Sequence, residues 1–182
     1  MGMSDKPHRW ADPLKATSSS ALKNLFSPIP SFPPYTSERD AAILCQLIRI
    51  NQDASAFYRR ALQYKENLKA NFSFKALEVL HENIINHLTS RVREILLPDM
   101  LEEADSDFIE YFSLLQQGIP YGITPHLISH LAQAEERCFQ GMEHALNDGL
   151  TKDTRSFLTG ELWLLSTAQR YIQELKILVN LG

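Results

Sequence analysis

At 182 residues, 44% hydrophobic and 22% charged, the chain fits a single globular domain of ordinary make-up, large enough to bury a core without a disulfide or a metal. Its 18 basic and 22 acidic residues leave a formal net charge of −4, with residues 1–37 at +2 and the remainder at −6. An acidic body with no basic stripe argues against nucleic acid as the main partner. No apolar run approaches the roughly 18 residues of a membrane span, and no apolar signal core is seen, so a cytoplasmic protein is expected.

Residues 1–37 hold six of the nine prolines (Pro7, Pro13, Pro28, Pro30, Pro33 and Pro34) and the run Ser18-Ser19-Ser20. Proline at this density stops helices, so this stretch reads as a disordered or loosely docked arm. The body, residues 38–182, reads as all-α. Its first predicted helix opens at Ser37-Glu38-Arg39-Asp40, a serine cap followed by acids in the first turn. Ile43, Leu47, Ile50, Ala54, Phe57, Ala61, Tyr64 and Leu68 then alternate spacings of four and three, a bundle-type seam. A helix of about 30 residues is expected from it, roughly 45 Å long.

Asn71 and Ser73 mark a tight turn, with Ser73 as the next cap. The second predicted helix carries Phe74, Leu77, His81, Ile84, Leu88 and Ile95 and stops before Pro98. So short a turn makes the two helices antiparallel neighbours. Asp99 to Gln117 also reads as helical, before Gly118, Pro120 and Gly122 break it; its length suits a crossover running back along the bundle. Thr124-Pro125 is a cap and a first-turn proline. The third helix runs to about Asn147 with Leu127, Leu131, Ala134, Cys138 and Ala145 inward, and Asp148-Gly149 stops it. Thr151 caps the fourth, whose seam is Phe157, Glu161, Leu164, Ala168, Tyr171, Leu175 and Leu178.

Two features bear on chemistry. Glu78 and His81 form a Glu-x-x-His pair, three apart and on one helix face. In ferritin-like bundles two such pairs plus two further glutamates hold a di-iron site. Glu135 and Glu161 supply acids from the third and fourth helices, so the candidate metal ligands are Glu78, His81, Glu135 and Glu161, for iron or manganese. The second pair is missing, because Leu164 stands where its histidine belongs. Asp53 lies about 13 Å out of level with His81 along the first helix, and reads as a boundary residue paired with a nearby histidine or arginine. The plainer reading of His81 is a core histidine satisfied by a carboxylate or carbonyl. His126 and His130, four apart, have zinc-type spacing but no further ligands, and read as solvated. Cys45 and Cys138 read as separate reduced thiols.

The stretch Leu44 to Leu62, with Leu47-Ile48, Asp53 and Phe57-Tyr58, resembles the first helix of the small bacterial ferritin-like proteins of the DUF2383 type. Ala134-Glu135-Glu136, Ala145-Leu146 and Leu150-Thr151 resemble their third helix and final turn, and Leu158 to Leu175 their fourth helix. The likeness covers roughly residues 40–178. It departs at Ala168-Gln169, where the family commonly has an alanine-histidine pair. It implies a ferritin-like four-helix bundle with a crossover helix between two helical hairpins. The expected function is non-enzymatic, through self-association as a homodimer or through a protein partner. The rival readings are a metal-binding stress or redox protein and a bundle with an apolar ligand pocket beside Ala54, Ala61, Ala134 and Ala168.

Overall fold

The computed structural model describes residues 32–64, 70–95, 112 and 115–180, and these form four α-helices and one 3-10 helix, with no strand among them. Helix α1 spans Ser37–Ala61. Its cap is Thr36, one residue before the serine expected: Thr36 is extended and its side chain accepts from the Arg39 N–H. Ile43, Leu47, Ile50, Ala54, Phe57 and Ala61 are buried, as the seam predicts. The helix is 25 residues long, shorter than the seam implies. Tyr64 packs on the core from beyond its end, and Leu68 lies outside the described residues.

Helix α2 spans Asn71–Ile95 and so begins before its expected cap. Ser73 is inside the first turn, buried, with its hydroxyl 3.4 Å from Glu174 Oε2. Phe74, Leu77, His81, Ile84 and Leu88 face inward, and Val92 takes the last core position in place of Ile95. Most of the expected crossover helix, like residues 1–31 of the arm, falls outside the described residues. Of it, Phe112 and Leu115 are buried in the common core. The predicted break at Gly118 and Pro120 takes the form of a 3-10 helix, Gln116–Tyr121, that ends at Gly122 with φ 86°.

Helix α3, Pro125–Leu146, starts as expected on Thr124, whose hydroxyl accepts from the Leu127 N–H at 3.1 Å. Its five predicted inward residues are all buried. Gly149 turns the chain at φ 69°, and α4 spans Lys152–Asn180. The α4 seam is rotated from the expected one: Leu158, Leu165 and Ile172 are buried, whereas Phe157, Leu164 and Tyr171 are half-buried. Glu161, Ala168 and Leu175 keep their predicted inward places.

Helix α1 packs chiefly on α2 and α3 on α4, and the two pairs meet through α2 on α4 and α1 on α3. Polar contacts tie the ends. Arg39 Nε donates to the Asp148 carbonyl at 2.7 Å and Nη2 to its carboxylate at 2.7 Å. The Tyr35 N–H donates to the Gly149 carbonyl at 2.6 Å. Buried Asp40 accepts from both the N–H and the hydroxyl of Thr151. The start of α1 is thereby stitched to the turn between α3 and α4. No described helix is long and apolar enough to cross a membrane.

Candidate functional site

Halfway along the bundle, α1, α2 and α3 each turn polar side chains into the core. Asn51, on α1, donates through Nδ2 to the Leu47 carbonyl at 2.8 Å. Its Oδ1 therefore faces His81 Nδ1, 2.8 Å away on α2, and that nitrogen carries a hydrogen. The other imidazole nitrogen, Nε2, lies 3.2 Å from Glu135 Oε1 on α3. The Tyr58 hydroxyl, from α1, donates to the same oxygen. Its ring stacks on His81 at 5.8 Å between centroids and meets Phe112 edge-on. All four polar residues are buried.

Counting hydrogens defines the state of this network. Tyr58 brings the hydrogen for its own contact with Glu135. The imidazole's Nδ1 hydrogen is committed to Asn51. The contact between Nε2 and Oε1 therefore requires one further proton, held on the imidazole or on the carboxyl. Either way the His81–Glu135 pair is neutral as a unit, which is how a low-dielectric core tolerates two ionisable groups. Burial, and then the Glu135 charge, pushes the Tyr58 hydroxyl well above its ordinary range, so it remains a donor. One turn along α3, Cys138 is pushed well above the usual thiol range by burial and by the charges of Glu135 and Asp53. It is a packed thiol with little nucleophilic character.

The four predicted metal ligands do not come together. His81 and Glu135 meet, but both imidazole nitrogens are engaged, and Oε2 is the Glu135 oxygen left without a hydrogen-bond partner among the described residues. Glu78 instead lies on the edge of α2 that faces α1, 3.3 Å from Arg59 Nε and 2.5 Å from Lys75 Nζ. Spacing of three places Glu78 and His81 on one side of the helix, but α1 offers that edge an arginine. Glu161 sits between α4 and α2, 3.0 Å from His87 Nδ1. Burial raises its carboxyl above the ordinary value, with His87 opposing. Among the described residues no three His, Cys, Asp or Glu side chains are grouped to hold a metal ion. The donor set therefore does not fit an iron or manganese centre.

Other expectations are corrected. Asp53 accepts from the Phe112 backbone N–H at 2.8 Å and so anchors the segment before the 3-10 helix to α1. His130 is buried, not solvated, with its Nε2 3.0 Å from His126 Nε2. Asn51 and Tyr58 lie beside the seam that the four-and-three spacing marks, and that spacing does not single them out. With Leu44 they form a second inward stripe at spacing seven beside the main seam, a signal that was present in the sequence.

Compared with known proteins, the chain matches no family model, no curated protein and no solved structure. What the described residues define is an all-α bundle of four helices with a buried polar network in its core.

Proposed function

We propose that this chain is a ferritin-like bundle with a crossover between its two helical hairpins, acting through association with a protein surface and not through catalysis. Support for the arrangement comes from the contacts at the helix ends. Asp40 meets Thr151 at the start of α4, Arg39 meets Asp148 at the end of α3, and Ser73 near the start of α2 meets Glu174 near the end of α4. On these contacts α2 and α3 run the same way, which supports a connection that crosses from one end of the bundle to the other. The DUF2383-type resemblance fits the same arrangement.

One observation carries the functional reading: large apolar side chains stand in solvent on the outer sides of α2 and α4, while the core's polar groups chiefly serve one another. Trp163 on α4 is 71% exposed and Phe72 on α2 is 75% exposed, with Ile177 and Val79 also outward. Tryptophan is enriched at the centres of protein interfaces. Hydroxyl-radical footprinting of the chain in cell extract, compared with dilute purified protein, tests this. Protection of Trp163, Phe72 and Ile177 in the extract is expected, whereas equal labelling in both would overturn it.

A further inference from the structure

The outer face of α4 has a spacing and a chemistry that match themselves. Asp153, Ser156, Gly160, Trp163, Thr167 and Arg170 alternate steps of three and four along it. All are exposed except Thr167, which is half-buried. From Ser156 to Gln169 the sole charged residue is Glu161, and it is buried. Two copies that each carry a net charge of −4 repel one another overall, and a face without like charges adds no local repulsion to that.

Three hydroxyls on or beside this face are already satisfied. The hydroxyls of Thr159, Ser166 and Thr167 donate back to the carbonyls of Arg155, Trp163 and Leu164 at 2.9, 2.6 and 2.7 Å. Covering them with another surface strips no unpaired donor of its water. Trp163 projects as a knob, and over Gly160 there is open space, with nothing within 4 Å of where a Cβ would stand.

Resting on the association reading above, we propose that α4 pairs antiparallel with α4 of a second copy about a two-fold axis between residues 161 and 162. In that register Trp163 seats over the partner's Gly160, Ser156 lies opposite the partner's Thr167, and Asp153 meets the partner's Arg170. Each pairing occurs twice, as a closed isologous interface demands. The alternating steps place the six residues in antiparallel core layers, a knob of one helix against a hole of the other. Residues 152–171 overlap, about 30 Å of helix. A strip about 10 Å wide along it, some 300 Å² per copy, is well under the roughly 800 Å² per partner of a standard interface. Exposed Val79 of α2, level with Thr167, adds a little area at its margin. The dimer is therefore reversible and dependent on concentration.

Sedimentation equilibrium of the full chain over a hundredfold concentration range tests the pairing. Wild type is expected to pass from monomer to dimer. Gly160→Glu, which fills the hole at an exposed helical position where a side chain meets nothing, is expected to stay monomeric with its helical content intact. Arg170→Asp, which sets two acids against each other at both ends of the pair, should weaken association at least tenfold, and the double variant Asp153→Arg/Arg170→Asp should restore it. A wild-type chain that is monomeric throughout, or a dimer indifferent to Gly160→Glu, or charge reversal without rescue, would each overturn the proposal. A monomer whose Trp163 is still protected in extract would leave the association reading standing and assign the face to a different protein.

Discussion

Tyr58 shows how a single hydroxyl can matter in a core that buries ionisable groups. It supplies one of the two hydrogens that reach Glu135 Oε1, from a position fully shielded from water. Tyr58→Phe keeps the ring stacked on His81 but removes that donor. A loss of about 1–3 kcal/mol is expected, the cost of leaving a buried acceptor poorly satisfied. It should appear as a lower urea midpoint at unchanged slope. Glu161 behaves in the opposite sense to an ion-paired surface acid. Its folded carboxyl is raised, chiefly by burial, so the folded state holds this proton more tightly than the unfolded chain. Its contribution to stability is complete below the unfolded value, about 4.3, and is lost as pH rises through the raised folded value. Urea unfolding across that window should show the decline in wild type and a flatter profile in Glu161→Gln. At this scale the sequence points to some of the buried ionisable groups, His81, Glu78, Glu135 and Glu161, but not to Asp40 or His130, which are buried as well. It did not reveal their partners, because a partner depends on which edge of a neighbouring helix comes alongside. Arg59 and His87 draw Glu78 and Glu161 away from the network for that reason.

Three of the four helix starts are legible in the sequence, as is the end of α3. Thr124-Pro125 announces α3, and Thr36 and Thr151 stand at or within a residue of their predicted places, because capping is local chemistry written in adjacent residues. Helix α1 ends before its apolar spacing does, because that spacing continues through Tyr64; a side chain can reach the core from a turn as well as from a helix. The α4 seam passes through Leu165 and not Leu164, adjacent leucines that periodicity alone cannot rank. Gly149 illustrates what a stop signal does physically. Its φ of 69° lies in the left-handed region, and a Cβ there would stand 3.0 Å from Pro34 Cβ. Gly149→Ala is expected to cost about 1–2 kcal/mol from the backbone term, with crowding against Pro34 added. Thermal unfolding of the variant measures it.

On the scale of the whole molecule, the all-α class and the existence of two helical pairs followed from seam periodicity. Which helices neighbour one another rests on contacts between residues a hundred positions apart, and no local pattern encodes those. The burial of Asp40 is an instance: its capping of Thr151 joins the first and last helices, yet in sequence it looks like an ordinary first-turn acid. Arg39 likewise looks like a surface charge and proves to hold the Asp148 carbonyl and carboxylate together.

This stitch has a kinetic consequence. Arg39 and Asp148 are separated by 109 positions and Asp40 and Thr151 by 111, so closing it spends chain entropy that the short turns within each hairpin do not. Such contacts belong on the native side of the folding barrier, formed after the hairpins have met. Asp40→Ala should then accelerate unfolding severalfold while leaving the refolding limb of a stopped-flow chevron nearly unmoved. The lifetime of the native protein, more than its speed of assembly, would be set by four side chains at one end of the bundle, Arg39, Asp40, Asp148 and Thr151.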